Sequence, residues 1–185
     1  MRTLRVASLL LALAPAACVT PPPAFTFSTP GLNVTVGGDM DMWSLNMAQW
    51  AFAASSRLAG RPVEAARASA ALEYLTVAVN APRWAAMNPL TKLELERGRA
   101  QLRETLGIPA DAPSQQVIQS LLDCGNALAA GDMAAAEATL RTPYFTFGPE
   151  RTLAILNEMP FLRQANIATM HAGMNASDGG SVWRR

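Results

Sequence analysis

From residue 39 onward the apolar residues of this chain recur at helical spacing, and proline and glycine fall between the periodic segments rather than inside them. Trp43, Met47, Trp50 and Ala54 follow i, i+4, i+7 and i+11, with Leu45 and Phe52 on a second stripe. Side chains at those intervals share one face of an α-helix. The spacing predicts a first helix over about 41–59, stopped by Gly60, since a glycine just past the last helical turn relieves the backbone there. Pro62 then stands at a helix start, where its missing N–H costs nothing. Ala66, Ala70, Tyr74 and Val77 lie on one face of this second helix, widened by Leu72, Leu75 and Val79, and it runs to about residue 80.

Asn88-Pro89 predicts the cap and first turn of a third helix, about 90–106, which Gly107 and Pro109 close. Its charges, among them Lys92, Glu94, Glu96, Arg97, Arg99, Arg103 and Glu104, mix signs at three- and four-residue spacings and read as a solvated face. A fourth helix covers about 113–130, and Asp132 caps a fifth that reaches 140 or 141. Thr142-Pro143 breaks the pattern, and Tyr144 to Phe147 forms an aromatic connector. A sixth helix follows over about 149–159, then a seventh from 160 or 161 to about 172, with Gly173 as its end. The fold class is therefore all-α, a bundle of helical hairpins with about six to seven helices over 39–174, and 175–185 reads as a disordered polar tail.

The region before residue 39 has a different pattern. Residues 19–38 carry no charge and begin with the stiff run Pro21-Pro22-Pro23, as a tether would. Within it Phe25 and Phe27 alternate with Thr26 and Ser28, and Leu32, Val34 and Val36 alternate with Asn33 and Thr35, around Pro30-Gly31. Alternation about a turn signal predicts an extended arm or a short β-hairpin. A lone hairpin is marginal in water, so the expectation is that its apolar face packs on the helical body.

The first residues set the destination. Arg2 and Arg5 precede an apolar run from Val6 to Ala14, and Pro15-Ala16-Ala17 leads to Cys18. A basic stretch, a short apolar stretch and a small-residue cleavage zone make an export signal. With Cys18 directly after Ala16-Ala17, the segment resembles the signal of bacterial lipoproteins, although Pro15 stands where that family usually has leucine. The resemblance covers residues 1–18 and implies cleavage before Cys18, lipidation of its thiol and a membrane anchor. Since Val19 and Thr20 rather than aspartate follow, it also implies the periplasmic face of the outer membrane. Ordinary secretion, with cleavage after Ala16 or Ala17 and a soluble periplasmic product, is the alternative. A retained spanning helix is disfavoured because the apolar run falls short of the ~20 residues that cross a bilayer.

Composition narrows the class. Removing 17 of the 185 residues leaves 168, enough for one domain with its own core. Without Arg2 and Arg5 the basic side chains number 13 against 14 acidic ones, and they are scattered, so nothing in the charge pattern points to nucleic acid. Cys18 and Cys124 are the two cysteines. With Cys18 lipidated, Cys124 has no partner for an internal disulfide. It shares a helical face with Val117, Leu121 and Leu128 and reads as a small core residue rather than a nucleophile. The single histidine, His171, has no zinc-ligand spacing around it, and neither a phosphate-cradling loop nor a dinucleotide fingerprint is present. The sequence therefore implies neither metal nor cofactor.

Leu58 to Ala66 and Ala129 to Glu137 share a glycine hinge between helices, and the stretch Gly125 to Ala136 resembles the interior of a tetratricopeptide unit. The resemblance implies two closely packed antiparallel helices. It departs from the family in its glycine spacing and in the 71-residue offset between the two hinges, which is not a multiple of 34.

The functional expectation is a membrane-anchored envelope protein acting as a non-catalytic interaction or assembly factor with an envelope protein partner. A periplasmic carrier of an apolar ligand is the alternative, and a hydrolase a more distant one. Arg83 and Trp84, in the loop between the second and third helices, are the candidate partner contacts because recognition residues concentrate in loops. Cys18 is the candidate lipidation site.

Overall fold

The structure, a computed structural model, describes residues 40–179, with side chains as far as residue 176. The arm, the signal and the last residues of the tail lie outside the described residues. The helices are α1 (Met40–Phe52), α2 (Pro62–Ala78), α3 (Pro89–Leu106), α4 (Ser114–Ala129), α5 (Met133–Leu140), α6 (Pro149–Asn157) and α7 (Arg163–Gly179), with single 3-10 turns at Ser55–Arg57 and Pro82–Trp84. The described residues form no strand, and the all-α expectation holds.

Helix α2 is the centre of the bundle. α1, α3, α4 and α6 all pack on it, α7 lies against α1 and α3, and α5 closes onto α4 and α6. Such crowding requires a thin helix, and α2 supplies one: Ala65, Ala66, Ala68, Ser69, Ala70 and Ala71 are all buried. Its larger buried members, Leu72 and Leu75, complete an apolar surface on nearly the whole circumference, as expected of a helix enclosed by others. Ser69 and Thr76 turn their hydroxyls back to the carbonyls of Ala65 and Leu72, at 2.7 and 2.8 Å, so no polar group of theirs faces the core unpaired.

Two boundaries differ from expectation. Helix α1 ends at Phe52 rather than near residue 59, because Ala54 is extended (φ −156°, ψ 141°) and the 3-10 turn redirects the chain. Arg57 donates to the Trp50 carbonyl at 2.7 Å and lies over the Trp50 ring, satisfying an end carbonyl of α1, while Leu58 drops into the core. At the other end α7 runs through Gly173 to Gly179. Gly173 is not a stop. A Cβ there would run into the amide end of the Gln49 side chain, so the glycine leaves room for that side chain of α1. A Cβ at Gly98 would lie 3.1 Å from the Ala165 Cα, so this glycine lets α3 meet α7 closely.

The end of α3 follows the expected signals. Asn88 Oδ1 accepts from the Leu90 N–H at 2.9 Å, and Gly107 is left-handed (φ 68°). The aromatic connector docks on that turn: Thr146 donates to the Gly107 carbonyl from its N–H and its hydroxyl, at 2.9 and 2.7 Å, and Phe145 is buried. The expected solvated face of α3 needs one correction. Arg103 is buried, forming a two-pronged ion pair with Glu73 of α2 at 2.6 and 2.8 Å. It also donates to the carbonyls of Pro109, Ala110 and Ala112 and to the Ser114 hydroxyl. Arginine's fork can fill that many acceptors at once. The pair is thereby compensated for lost hydration, and it clamps the α3–α4 connection.

Cys124 is buried on α4 as a small core residue. Burial pushes its thiol up from 9.0 to about 11, a rise that a hydrogen bond with Thr139 opposes. The folded protein therefore keeps the thiol neutral over a range in which the unfolded chain ionises. The unfolded state binds fewer protons there, so stability falls as pH rises from 9 toward 11. At ~1.4 kcal/mol per pH unit the loss is about 2–3 kcal/mol. Urea unfolding of wild type and Cys124→Ala in a Cys18→Ser background, at pH 8 and pH 10.5, checks this: the wild type should lose more stability than the variant.

Candidate interaction surface

One end of the bundle gathers three elements distant in sequence. Asp41, in the first turn of α1, is buried and accepts at both oxygens: Oδ1 from the Tyr74 hydroxyl of α2 at 2.6 Å, and Oδ2 from Trp84 Nε1 at 2.8 Å. Arg83 completes the group with an ion pair to Oδ2 at 3.0 Å. A carboxylate near a helix N-terminus is favoured by the helix dipole. Here it also ties the start of α1 to α2 and to the 3-10 turn before α3.

The two predicted contact residues thus lie together but play different parts. The Trp84 indole is folded back onto the bundle, 5% exposed and bonded to Asp41. Arg83 keeps 42% of its side chain exposed while paired to the same carboxylate, and its guanidinium lies 5.8 Å from the Trp84 ring centre. Between them they make a loop that is accessible at Arg83 and rigid beneath it. A contact held in one geometry loses less side-chain freedom on binding.

Beside this loop, α3 and α7 are joined by polar contacts. Asn175 Oδ1 accepts from the Asn88 N–H at 3.1 Å, and its amide donates to Thr91 Oγ1 at 3.3 Å and to the His171 carbonyl at 2.9 Å. His171 Nδ1 lies 2.6 Å from Glu94 Oε2. His171 is therefore paired with one carboxylate, and among the described residues no three of His, Cys, Asp or Glu cluster as a metal site. Cys124 lies in the core, and the aspartates and glutamates of the described residues do not converge with it on a pocket.

Two depressions on the surface are open and carry charged side chains in their lining. One, of about 290 Å³, is lined by Glu137, Arg141, Phe147 and Glu150 with Gly148 and Pro149. The other, of about 240 Å³, runs along Glu96, Arg99, Arg103 and Glu104 beside Ile108. Both are open to solvent, whereas a ligand cavity buries most of its occupant. No described helix is long and apolar enough to cross a membrane. Cys18 lies outside the described residues.

The sequence placed Arg83 and Trp84 in the turn between α2 and α3 but gave no sign of what holds them there. Asp41 carried no local signal, since its partners are 33 and 43 residues away. Compared with protein-family models, with curated proteins and with solved structures, the chain matches none.

Replacing Asp41 by alanine removes the acceptor that Tyr74 and Trp84 share. The expected cost is about 2–4 kcal/mol of stability, with Asp41→Asn intermediate because it keeps one carbonyl acceptor. Urea unfolding measures the cost, and limited proteolysis of the 79–88 loop should speed up in the same order.

Proposed function

We propose that this protein is a lipid-anchored envelope protein whose helical body serves as a non-catalytic interaction or assembly factor. The observation that carries the reading is the leader: a basic start, an apolar run and small residues ending on Cys18, followed by an uncharged, proline-led tether. Acylation at more than one position would hold the chain firmly, because each buried methylene contributes ~0.8 kcal/mol. The outer membrane's periplasmic face is the favoured site, and a partner in the envelope the expected ligand.

The braced loop supports the second half of the proposal. Arg83 offers an accessible guanidinium from a turn that Asp41 and Trp84 hold in place, the kind of pre-organised polar contact that interfaces use. The carrier reading has less behind it, since these two depressions are open and carry charged side chains. Hydrolysis likewise lacks a convergent set of nucleophile, base and orienting group among the described residues.

Intact mass and membrane partitioning in a native bacterial host, for wild type and Cys18→Ser, test the anchor. The expected result is a wild-type chain beginning at an acylated Cys18 in the membrane fraction and a variant released from it. An unmodified chain beginning at Ala17 or Cys18 in the soluble periplasm would overturn the anchored reading.

A further inference from the structure

The end of the bundle that carries the Asp41 network also presents an apolar patch. Met42 of α1 is 39% exposed, Leu90 and Leu93 of α3 are 56% and 47%, and Met170 and Met174 of α7 are 40% and 55%. Helix geometry places these side chains on the same side of the bundle. Met42 lies two turns before Gln49, the residue that packs at Gly173, so it stands on the side of α1 that borders α7. Leu90 precedes Glu94 by one turn, and Met174 follows His171 by one turn, so the Glu94–His171 contact sets them side by side. Leu93 and Met170 extend the patch from those two positions at i+3 and i−4.

The chain carries an uncharged, apolar-rich segment just before α1. Residues 19–38 carry no charge, and they join the body at Met40, two residues before Met42. Gly37-Gly38 gives the chain freedom to turn there. From Phe25 to Val36 the extended length is ~40 Å at 3.3 Å per residue, enough to cross α1, α7 and α3 at ~10 Å spacing. A segment linked so closely meets the patch at an effective concentration of order millimolar, above what a separate partner commonly reaches.

We propose that the segment from Phe25 to Val36 docks in cis on the face formed by Met42, Leu90, Leu93, Met170 and Met174. Its alternation lets Phe25 and Phe27, or Leu32, Val34 and Val36, turn one apolar edge to the helices and leave Thr26, Asn33 and Thr35 to solvent. Docking needs no lipid on Cys18 and holds equally for a soluble product. If Cys18 is anchored, it leaves only residues 19–24 as free linker and turns this end of the bundle toward the membrane.

A benzophenone amino acid at Phe27 in the exported full chain, in the Cys18→Ser background and without detergent, tests the proposal, because the photoactivated carbonyl inserts readily at methionine. The expected result is a crosslink within one monomer to Met42, Met170 or Met174, lost when Phe25 and Val34 are both changed to aspartate. Crosslinks between two copies, to phospholipid, or to the α4–α5 side of the same molecule would each overturn it. Helical circular dichroism of both proteins confirms that the body is folded. Because Cys18 is absent from both, failure here is distinct from failure of the lipid anchor.

Discussion

The structure depends on how thin α2 is. A helix surrounded by α1, α3, α4 and α6 can be reached from so many sides only where its own side chains are small, and the run Ala65 to Ala71 meets that requirement almost without a break. Larger residues project from the neighbours instead: Leu45 and Phe52 from α1, Leu95 and Leu102 from α3, and Ile118, Leu121 and Leu122 from α4 are all buried. Small against large across facing positions fills space without voids. Gly98 repeats the principle where α7 meets α3.

Such packing gives stability but little directional specificity, since alanine surfaces can slide. The buried polar groups supply direction. Glu73 on α2 and Arg103 on α3 fix the rotation of one helix against the other, and Arg103 goes on to hold the carbonyls of the following connection. Asp41 does the same elsewhere in the bundle, fixing α1 to Tyr74 and to the Arg83-Trp84 turn. Each carboxylate is matched by charge-assisted donors, the condition under which a buried charge is tolerated. The rigid loop that bears Arg83 is thus a by-product of the constraint that sets helix register.

Much of the fold was legible because proline and glycine mark its ends. Pro62, Asn88-Pro89, Gly107, Asp132 and Pro149 stand at the starts and stops they announce. Two glycines behave differently for reasons no local pattern carries. Gly60 follows a 3-10 turn rather than α1 itself, and Gly173 lies inside α7 beside the Gln49 side chain of α1. The charge on α3 misled in one place, because Arg103 has the same spacing as its solvated neighbours and differs only in facing Glu73. A hint was present on the partner: Glu73 is the one charged residue between Ala68 and Asn80. The Arg83-Trp84 pair was visible as a loop, but its brace was not, since Asp41 and Trp84 meet only in the folded chain. The alternating stretch at 25–36 lies outside the described residues and remains the material of a proposal.

A helical body that presents a braced loop and an apolar end needs a core that does not open locally. The central claim is that α2 is the axis on which the other helices depend. Native-state hydrogen exchange at increasing urea tests it most directly. The account predicts that the amides of Ala65 to Leu75 exchange only through global unfolding, last among all helices. If those amides instead exchange through a lower-energy opening while α3 and α7 stay protected, α2 is not the organising element and the account is contradicted.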